Sequence, residues 1–254
     1  MRMSHHVLER EIPGRNKGRP PELRAPRLER TEHSRISNLL TPGQQALLQG
    51  IATLVTYRHG EDIFLEGDDG HFVYTVASGM VRISRHAESG RRQVMAFALP
   101  GDLFGFPEEG LHLNSTRAVG EVSLYRLPWL ELNALLQREP ALQSSFLVRM
   151  TYDLRQAQKR ILVLGQQNIS QRLASFLLEL MEHADFYKPD LRQLFLPLSR
   201  FDLGDYLGTA PETVVRVLSK MEKSGIIHRL SSRVLLIPSQ QNLAEMLQGR
   251  RRND

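Results

Sequence analysis

The chain has 254 residues, which suits one or two domains, and its 24% charged and 41% hydrophobic residues are ordinary for a globular protein. It contains no cysteine, which excludes disulfides, cysteine-ligated zinc and cysteine-ligated iron–sulfur clusters. The net charge of +5 favours a polyanionic partner. No apolar stretch approaches the roughly 18 residues of a membrane-spanning helix, and the N-terminus lacks the hydrophobic region of a signal peptide. We therefore expect a soluble, cytoplasmic protein.

Residues 1–35 carry most of the excess positive charge. They hold nine Lys and Arg against five Asp and Glu, whereas residues 36–164 hold twelve against thirteen. The first segment is also rich in proline and glycine and has almost no apolar periodicity, which predicts a disordered basic N-terminal arm. Such an arm could add non-specific DNA affinity or remain a solvated tail.

Residues 36–138 predict a β domain. Residues 39–48, with Pro42 near their start, predict a short entry helix. Short strands separated by glycines then follow at intervals of about 8 to 12 residues, which is typical of a β sandwich or jelly roll. The predicted strands are 52–57, 62–65, 72–78, 80–86, 91–99, 113–119 and 121–127.

A long helix is predicted over residues 139–165. Pro140 opens it and Gly165 ends it. Its apolar residues recur at alternating spacings of three and four: Leu147, Met150, Leu154, Ala157, Ile161 and Leu164. This heptad pattern predicts a parallel coiled coil with a second copy, although the same seam could pack on the chain's own β domain. A second helix over 169–181 would begin a C-terminal domain, 166–254, with 185–194 as a connector.

Residues 199–223 predict two helices joined by a tight turn. Ser199 is a natural N-cap, Gly208 ends the first helix, Pro211 opens the second and Gly225 follows it. This arrangement is typical of a helix–turn–helix motif. Two apolar runs, 226–230 and 234–237, then predict a hairpin, or wing. The chain as a whole is therefore predicted to be α+β, with a jelly roll, a dimerisation helix and a winged helix–turn–helix domain.

The polar face of the second helix carries the candidate DNA-reading residues Glu212, Val215 and Arg216. Arginine can donate two hydrogen bonds to guanine, glutamate can accept one from cytosine, and an apolar side chain can rest on the methyl group of thymine. The alternative is that Glu212 and Arg216 merely form an exposed salt bridge along the helix. Candidates for phosphate contacts are Arg200, Lys220, Lys223 and Arg233.

The segment LPLSRFDLGDYLGTAPETVVRVLSKMEKSGII resembles the DNA-binding segment of the cyclic-AMP receptor protein and fumarate–nitrate regulator (CRP/FNR) family. The runs GEDIFLEGDDGHFVYTVASGMVRI and RRQVMAFALPGDLFGF resemble that family's effector domain. The resemblance covers about residues 36–240. It implies a homodimeric transcription activator that binds an inverted repeat with TGA-type half-sites and contacts RNA polymerase.

By this resemblance, Glu212 and Arg216 read a G–C pair, while Ser199, Arg200 and Thr213 touch phosphates. Val215 stands where most relatives have serine or glycine, and Ala210 replaces the usual Ser or Thr cap, so that Thr209 could take over part of the capping.

The stretch GDLFGFPEEGLHLNSTRA departs from the cyclic-AMP branch of the family. Ser115 is retained, but Asn114 stands where the phosphate-binding arginine would be, and no glutamate follows Gly105. Without that bidentate cation a buried phosphate loses its main charge partner, so high-affinity cyclic-AMP binding is not expected. The chain is closest in character to the cysteine-free branch typified by the nitrogen-fixation regulator FixK, which works downstream of a separate sensor, and no cofactor is expected.

Two other interpretations of the β domain stay open. One is a sensor gated by haem, with a histidine axial ligand, or by a small molecule. The other is a cupin-like metalloenzyme fused to a DNA-binding domain, which needs several ligands converging on one ion. The histidines His59, His71, His86 and His112 are instead scattered singly. We therefore predict a regulator, not an enzyme.

Overall fold

The computed structural model describes residues 40–87, 90 and 92–248. The predicted basic arm, residues 1–35, lies outside the described residues. Within them the chain is α+β, as predicted: an N-terminal β-roll, a long helix and a C-terminal domain of helices around a small sheet.

The β-roll is a six-stranded antiparallel sheet that follows one entry helix. The helix, α1 (Pro42–Ile51), is capped by Thr41, and it begins and ends three residues later than predicted. The strands are β1 (Thr53–Tyr57), β2 (Asp62–Phe64), β3 (Phe72–His86), β4 (Arg92–Ala98), β5 (Leu103–Phe104) and β6 (Ser115–Pro128). They are ordered β1-β6-β3-β4, with β2 on β6 and β5 on β3.

Two long strands replace four of the predicted short ones. The prediction took Gly79 and Gly120 as breaks, but each lies within a continuous strand, with φ of 85° and 82°. The register of β3 against β6 shifts on both sides of Gly79. A β-bulge absorbs the extra residue there, so the chain bends and the strand continues.

A small apolar core lies between the β-roll and two helices. Helix α2 (Trp129–Arg138) follows β6 without a break, and α3 (Pro140–Gln166) follows α2. Leu132, Leu142 and Phe146 pack there against apolar residues of β3 and β6. The sequence did not reveal α2, because its N-cap is Pro128, which offers no side-chain cap.

The C-terminal domain combines helices with a four-stranded sheet. Its elements are α4 (Ile169–Met181), β7 (Tyr187–Lys188), β8 (Gln193–Phe195), α5 (Arg200–Leu207), α6 (Pro211–Lys223), β9 (His228–Arg229), β10 (Val234–Leu236) and α7 (Gln240–Glu245). The sheet order is β7-β8-β10-β9. The prediction of a connector over 185–194 was wrong, because β7 and β8 lie there. The wing strands are shorter than the predicted apolar runs, and β8 extends their hairpin into the sheet.

The bulge at Gly79 gives a test of the β-roll. A Cβ at this position would lie 2.4 Å from the carbonyl oxygen of Glu121, whereas a Cβ at Gly60, which has nearly the same φ, would meet nothing within 4 Å. We expect Gly60→Ala to cost about 1 kcal/mol of unfolding free energy from backbone strain alone. Gly79→Ala is expected to cost about 1 to 3 kcal/mol more because of the clash. Denaturant titration measures both changes, and equal losses would contradict the steric argument.

Candidate DNA-binding surface

Helix α6 presents the three predicted base-reading residues on its solvent side. Val214, Leu218 and Met221 are buried against the domain core, which fixes the rotation of the helix about its axis. Glu212, Val215 and Arg216 are exposed, within the N-terminal half of the helix. The positive end of the helix dipole at this terminus favours an anionic partner.

The turn between α5 and α6 is as tight as predicted. The Ser199 hydroxyl accepts a hydrogen bond from the backbone N–H of Asp202 at 3.0 Å and donates to the Asp202 carboxylate at 2.7 Å. Gly208 ends α5 in the left-handed conformation, with φ of 71°. Ala210 is the N-cap of α6 and makes no side-chain cap. Thr209 does not take over this role among the described residues, because the N–H groups of Thr213 and Val214 donate instead to the Ala210 carbonyl, at 3.0 and 3.3 Å.

Arg216 is held by the turn of helix that precedes it. Its Nη2 donates to the Thr213 Oγ1 at 2.9 Å. Among the residues that the structure describes, no ion pair joins Arg216 to Glu212, so the exposed salt bridge considered as an alternative is not formed. The Glu212 carboxylate is left free to accept a hydrogen bond from a partner.

The predicted phosphate-contacting residues differ in their environments. Lys220, Lys223 and Arg233 are exposed, and the two lysines lie in the last turn of α6. Arg200 is half-buried and donates from Nη2 to the Ser232 carbonyl at 3.1 Å. Burial, with a smaller contribution from Arg229, lowers the pKa of Arg200. Arg200 therefore ties the start of α5 to the turn of the wing and brings Ser199 and Arg233 to the same side of the domain.

Two arginines, Arg160 and Arg172, contact the C-terminal end of α5, and the sequence analysis did not predict them. Arg172 donates to the carbonyls of Leu207 at 2.8 Å and Leu164 at 2.6 Å, thereby joining the C-terminal turns of α5 and α3. Arg160 donates to the Tyr206 carbonyl at 2.6 Å and lies over that residue's ring at 3.5 Å. Cations at a helix C-terminus are favourable. These contacts join positions far apart in the chain, so no local sequence pattern could have indicated them.

The predicted seam of α3 lies largely on the outer side of the helix. Leu147, Leu154 and Ile161 are 63%, 59% and 68% exposed, and Ala157 is exposed between them. Met150 and Leu164 are half-buried. The inner side of the helix instead uses Leu142, Phe146 and Arg149 against the β-roll.

Two general features bear on the other interpretations. In the described part of the chain, no helix is long and apolar enough to cross a membrane. Over the same residues, no group of three or more His, Asp or Glu is arranged to hold a metal ion. The ligand cluster of a cupin-like metalloenzyme is therefore not found among residues 40–87, 90 and 92–248.

Comparison with known proteins matches both domains to family models. Residues 171–246 match a Crp-like helix-turn-helix domain, and residues 54–139 match a cyclic nucleotide-binding domain. The chain is 35% identical over 192 residues to the nitrogen fixation regulation protein FixK of Rhizobium meliloti, covering 75% of this chain and 85% of that protein. It is 28% identical to the transcriptional activator protein FnrA of Stutzerimonas stutzeri, over 72% of this chain and 75% of that protein.

The fold also matches a solved structure. The structure of FixK2 from Bradyrhizobium japonicum superposes with a TM-score of 0.70 at 32% identity, covering 77% of this chain and 96% of that chain. These relatives are transcription regulators, not enzymes. The chain belongs to the CRP/FNR family of transcription regulators, and its helix–turn–helix domain is a DNA-binding domain.

Proposed function

We propose that the chain acts as a homodimer on an inverted-repeat promoter site with TGA-type half-sites, activates transcription through contact with RNA polymerase in the cytoplasm, and needs no cyclic nucleotide. The observation that carries this proposal is the exposed, preformed reading face of α6. Val214, Leu218 and Met221 on its inner side are buried, so the domain core fixes the rotation that turns Glu212, Val215 and Arg216 toward a partner.

Base reading follows from the chemistry of these three side chains. In the major groove Arg216 would donate to guanine, Glu212 would accept from the paired cytosine, and Val215 would contact a thymine methyl. The hydrogen bond from Arg216 to Thr213 restrains the guanidinium before DNA is bound. A restrained side chain loses less conformational freedom on binding.

Phosphate contacts would come from residues around this face. Lys220, Lys223 and Arg233 are exposed cations, and Ser199 and Thr213 lie at or near helix N-termini where backbone N–H groups also bind phosphates. Because the Arg200 guanidinium donates a hydrogen bond to the Ser232 carbonyl, Arg200 would position the wing as well as approach the DNA backbone. Such contacts fix register and affinity but do not select sequence.

The homodimer would form along α3. Its exposed apolar row repeats with heptad spacing, which suits a parallel two-helix coiled coil. Ala157 at the centre of the row allows the two helices to approach closely. A twofold dimer would place two α6 helices in successive major grooves, roughly 34 Å apart, and hence on an inverted repeat.

Effector independence is supported by the interior of the β-roll. The Phe64 ring packs against Tyr74 and His112 at centroid distances of 5.6 and 3.6 Å, and Tyr74 packs against Phe104 at 5.4 Å. Burial lowers the pKa of His112, which disfavours its charged form. A ligand that entered the roll at this point would have to displace these rings. The packing therefore supports a roll filled by its own side chains.

The division between base reading and phosphate binding is testable with two substitutions. Arg216→Ala should weaken binding to the cognate duplex by about 1 to 3 kcal/mol and reduce discrimination at one base pair. Lys220→Ala should weaken binding to all sequences alike and reduce the slope of log K against log salt by about one. Fluorescence anisotropy over a salt series measures both. If Arg216→Ala lowered affinity equally for cognate and scrambled duplexes, it would not be a base-reading residue.

The dimer seam is testable with Ile161→Asp. A carboxylate in an apolar coiled-coil seam would be buried without a partner, so we expect the dimer dissociation constant to rise at least about tenfold. Gln156→Asp adds the same charge to an exposed position of α3 outside the seam and should leave the dimer intact. Sedimentation velocity of all three proteins measures the change. An Ile161→Asp variant that stayed as dimeric as the parent would place the interface elsewhere.

A further inference from the structure

Four charged side chains join α5 directly to the β-roll. Arg82 of β3 donates to the Asp202 carboxylate at 2.6 Å, and Arg92 of β4 donates to the same oxygen at 2.9 Å. Arg92 also contacts the Asp205 carboxylate through two nitrogens, at 2.7 and 3.1 Å. We call Arg82, Arg92, Asp202 and Asp205 the arginine latch.

The latch is largely shielded from solvent. The side chains of Arg82 and Asp202 are 10% and 14% exposed, and those of Arg92 and Asp205 are 29% and 22% exposed. Burial alone would raise the pKa of Asp202, but the Ser199 hydroxyl and the two arginines outweigh it and hold that pKa below its usual value. The carboxylate is therefore ionised. Separating partly buried ion pairs of this kind exposes charges that have lost their partners.

Aromatic packing reinforces the same contact. Phe97 of β4 lies 5.7 Å from the Phe176 ring of α4 and 4.9 Å from the Tyr206 ring of α5. Phe97 also joins one continuous apolar core with Leu203 and Leu207 of α5. Helix α5 is thus held to the β-roll by charge and by apolar contact, while Arg160 and Arg172 hold its C-terminal end to α3 and α4.

The latch leaves the reading face open. Glu212, Val215 and Arg216 remain exposed while Asp202 and Asp205 are engaged. Helix α5 is joined to α6 through the tight turn at Gly208, and Leu203 and Leu207 share a core with Val214 and Leu218 of α6. A constraint on α5 is therefore transmitted to the direction of α6.

From this geometry we propose that the arginine latch positions the recognition helix: Arg82 and Arg92 hold the DNA-binding domain in one orientation on the β-roll before DNA is met. The inference rests on the proposed function, and it assigns a positioning role to residues that would not touch DNA. A domain already held in its binding orientation gives its full intrinsic affinity, whereas one that samples several orientations loses affinity in proportion to the competent fraction.

Asp205 is the most suitable residue to mutate in a test of the latch. Its carboxylate bonds to Arg92, whereas the Asp202 carboxylate also accepts from the Ser199 hydroxyl at the helix cap. We would compare Asp205→Asn and Arg92→Gln, each of which removes one charge of the latch. Asp190→Asn is the matched control, since Asp190 is an exposed carboxylate of the same domain. Affinity for the inverted-repeat duplex is measured by anisotropy, and folding by circular dichroism.

Orientation is measured separately from DNA binding. Because the chain has no cysteine, spin labels can be placed through Glu108→Cys on the β-roll and Lys188→Cys on the DNA-binding domain, both exposed positions. Labelled protein is diluted with an excess of unlabelled protein so that distances within one protomer dominate. Double electron–electron resonance spectroscopy then gives the distribution of distances between the two spin labels in the absence of DNA.

We expect Asp205→Asn and Arg92→Gln to stay folded, to broaden the distance distribution and to lose at least about tenfold in affinity. Asp190→Asn should match the parent. A narrow distribution and parental affinity in Asp205→Asn would overturn the latch. If the parent protein bound no inverted repeat, the proposed function would fail, while the distance distributions would still decide whether the latch holds the domain.

Discussion

The structure depends on how one short helix is held. Helix α5 has eight residues, too few to be stable alone in water. It is fixed by the Ser199 cap at its start, by Arg160 and Arg172 at its end, and by Arg82 and Arg92 along its side. Because α6 packs directly on α5, these contacts determine where the reading face points.

Charge and apolar packing have different parts in this arrangement. The apolar core shared by Phe97, Phe176 and Tyr206 supplies most of the non-directional attraction between the β-roll and the C-terminal domain. Partly buried ion pairs add less net stability than their short distances suggest, because both charges lose water. Arg82 and Arg92 are directional, however, and their fixed geometry selects one orientation among those that the apolar surface would allow. The main role of the latch is therefore to select this orientation rather than to add stability.

The sequence predicted best what local patterns encode. The helix–turn–helix bounds followed from Ser199, Gly208 and Pro211, and the long helix followed from Pro140 and its heptads. Each of these signals acts within one turn of its own position. Too many strands were predicted for the β-roll, because the sequence does not distinguish a glycine within a strand from a glycine in a turn. The short strands β7 and β8 have too few residues to show any periodicity.

The contacts between domains could not be predicted from the sequence. Arg92 and Asp205 are separated by 113 positions, and each appears as an ordinary charged residue of a solvated face. Their pairing depends on the tertiary packing of β4 against α5. The base-reading candidates were accessible to sequence reasoning because Glu212, Val215 and Arg216 share one face of one helix.

The central claim is that the dimer binds its site selectively with no ligand present, because its recognition helices are already oriented. The most direct test is anisotropy of the purified, ligand-free protein with a duplex carrying TTGAT and ATCAA half-sites four base pairs apart, against a scrambled duplex, together with the absorption spectrum of the same sample. We expect tight, sequence-selective binding by a colourless protein. Weak, unselective binding that is restored by haem or by a metabolite extract would contradict it and show that the β-roll is a ligand-gated sensor.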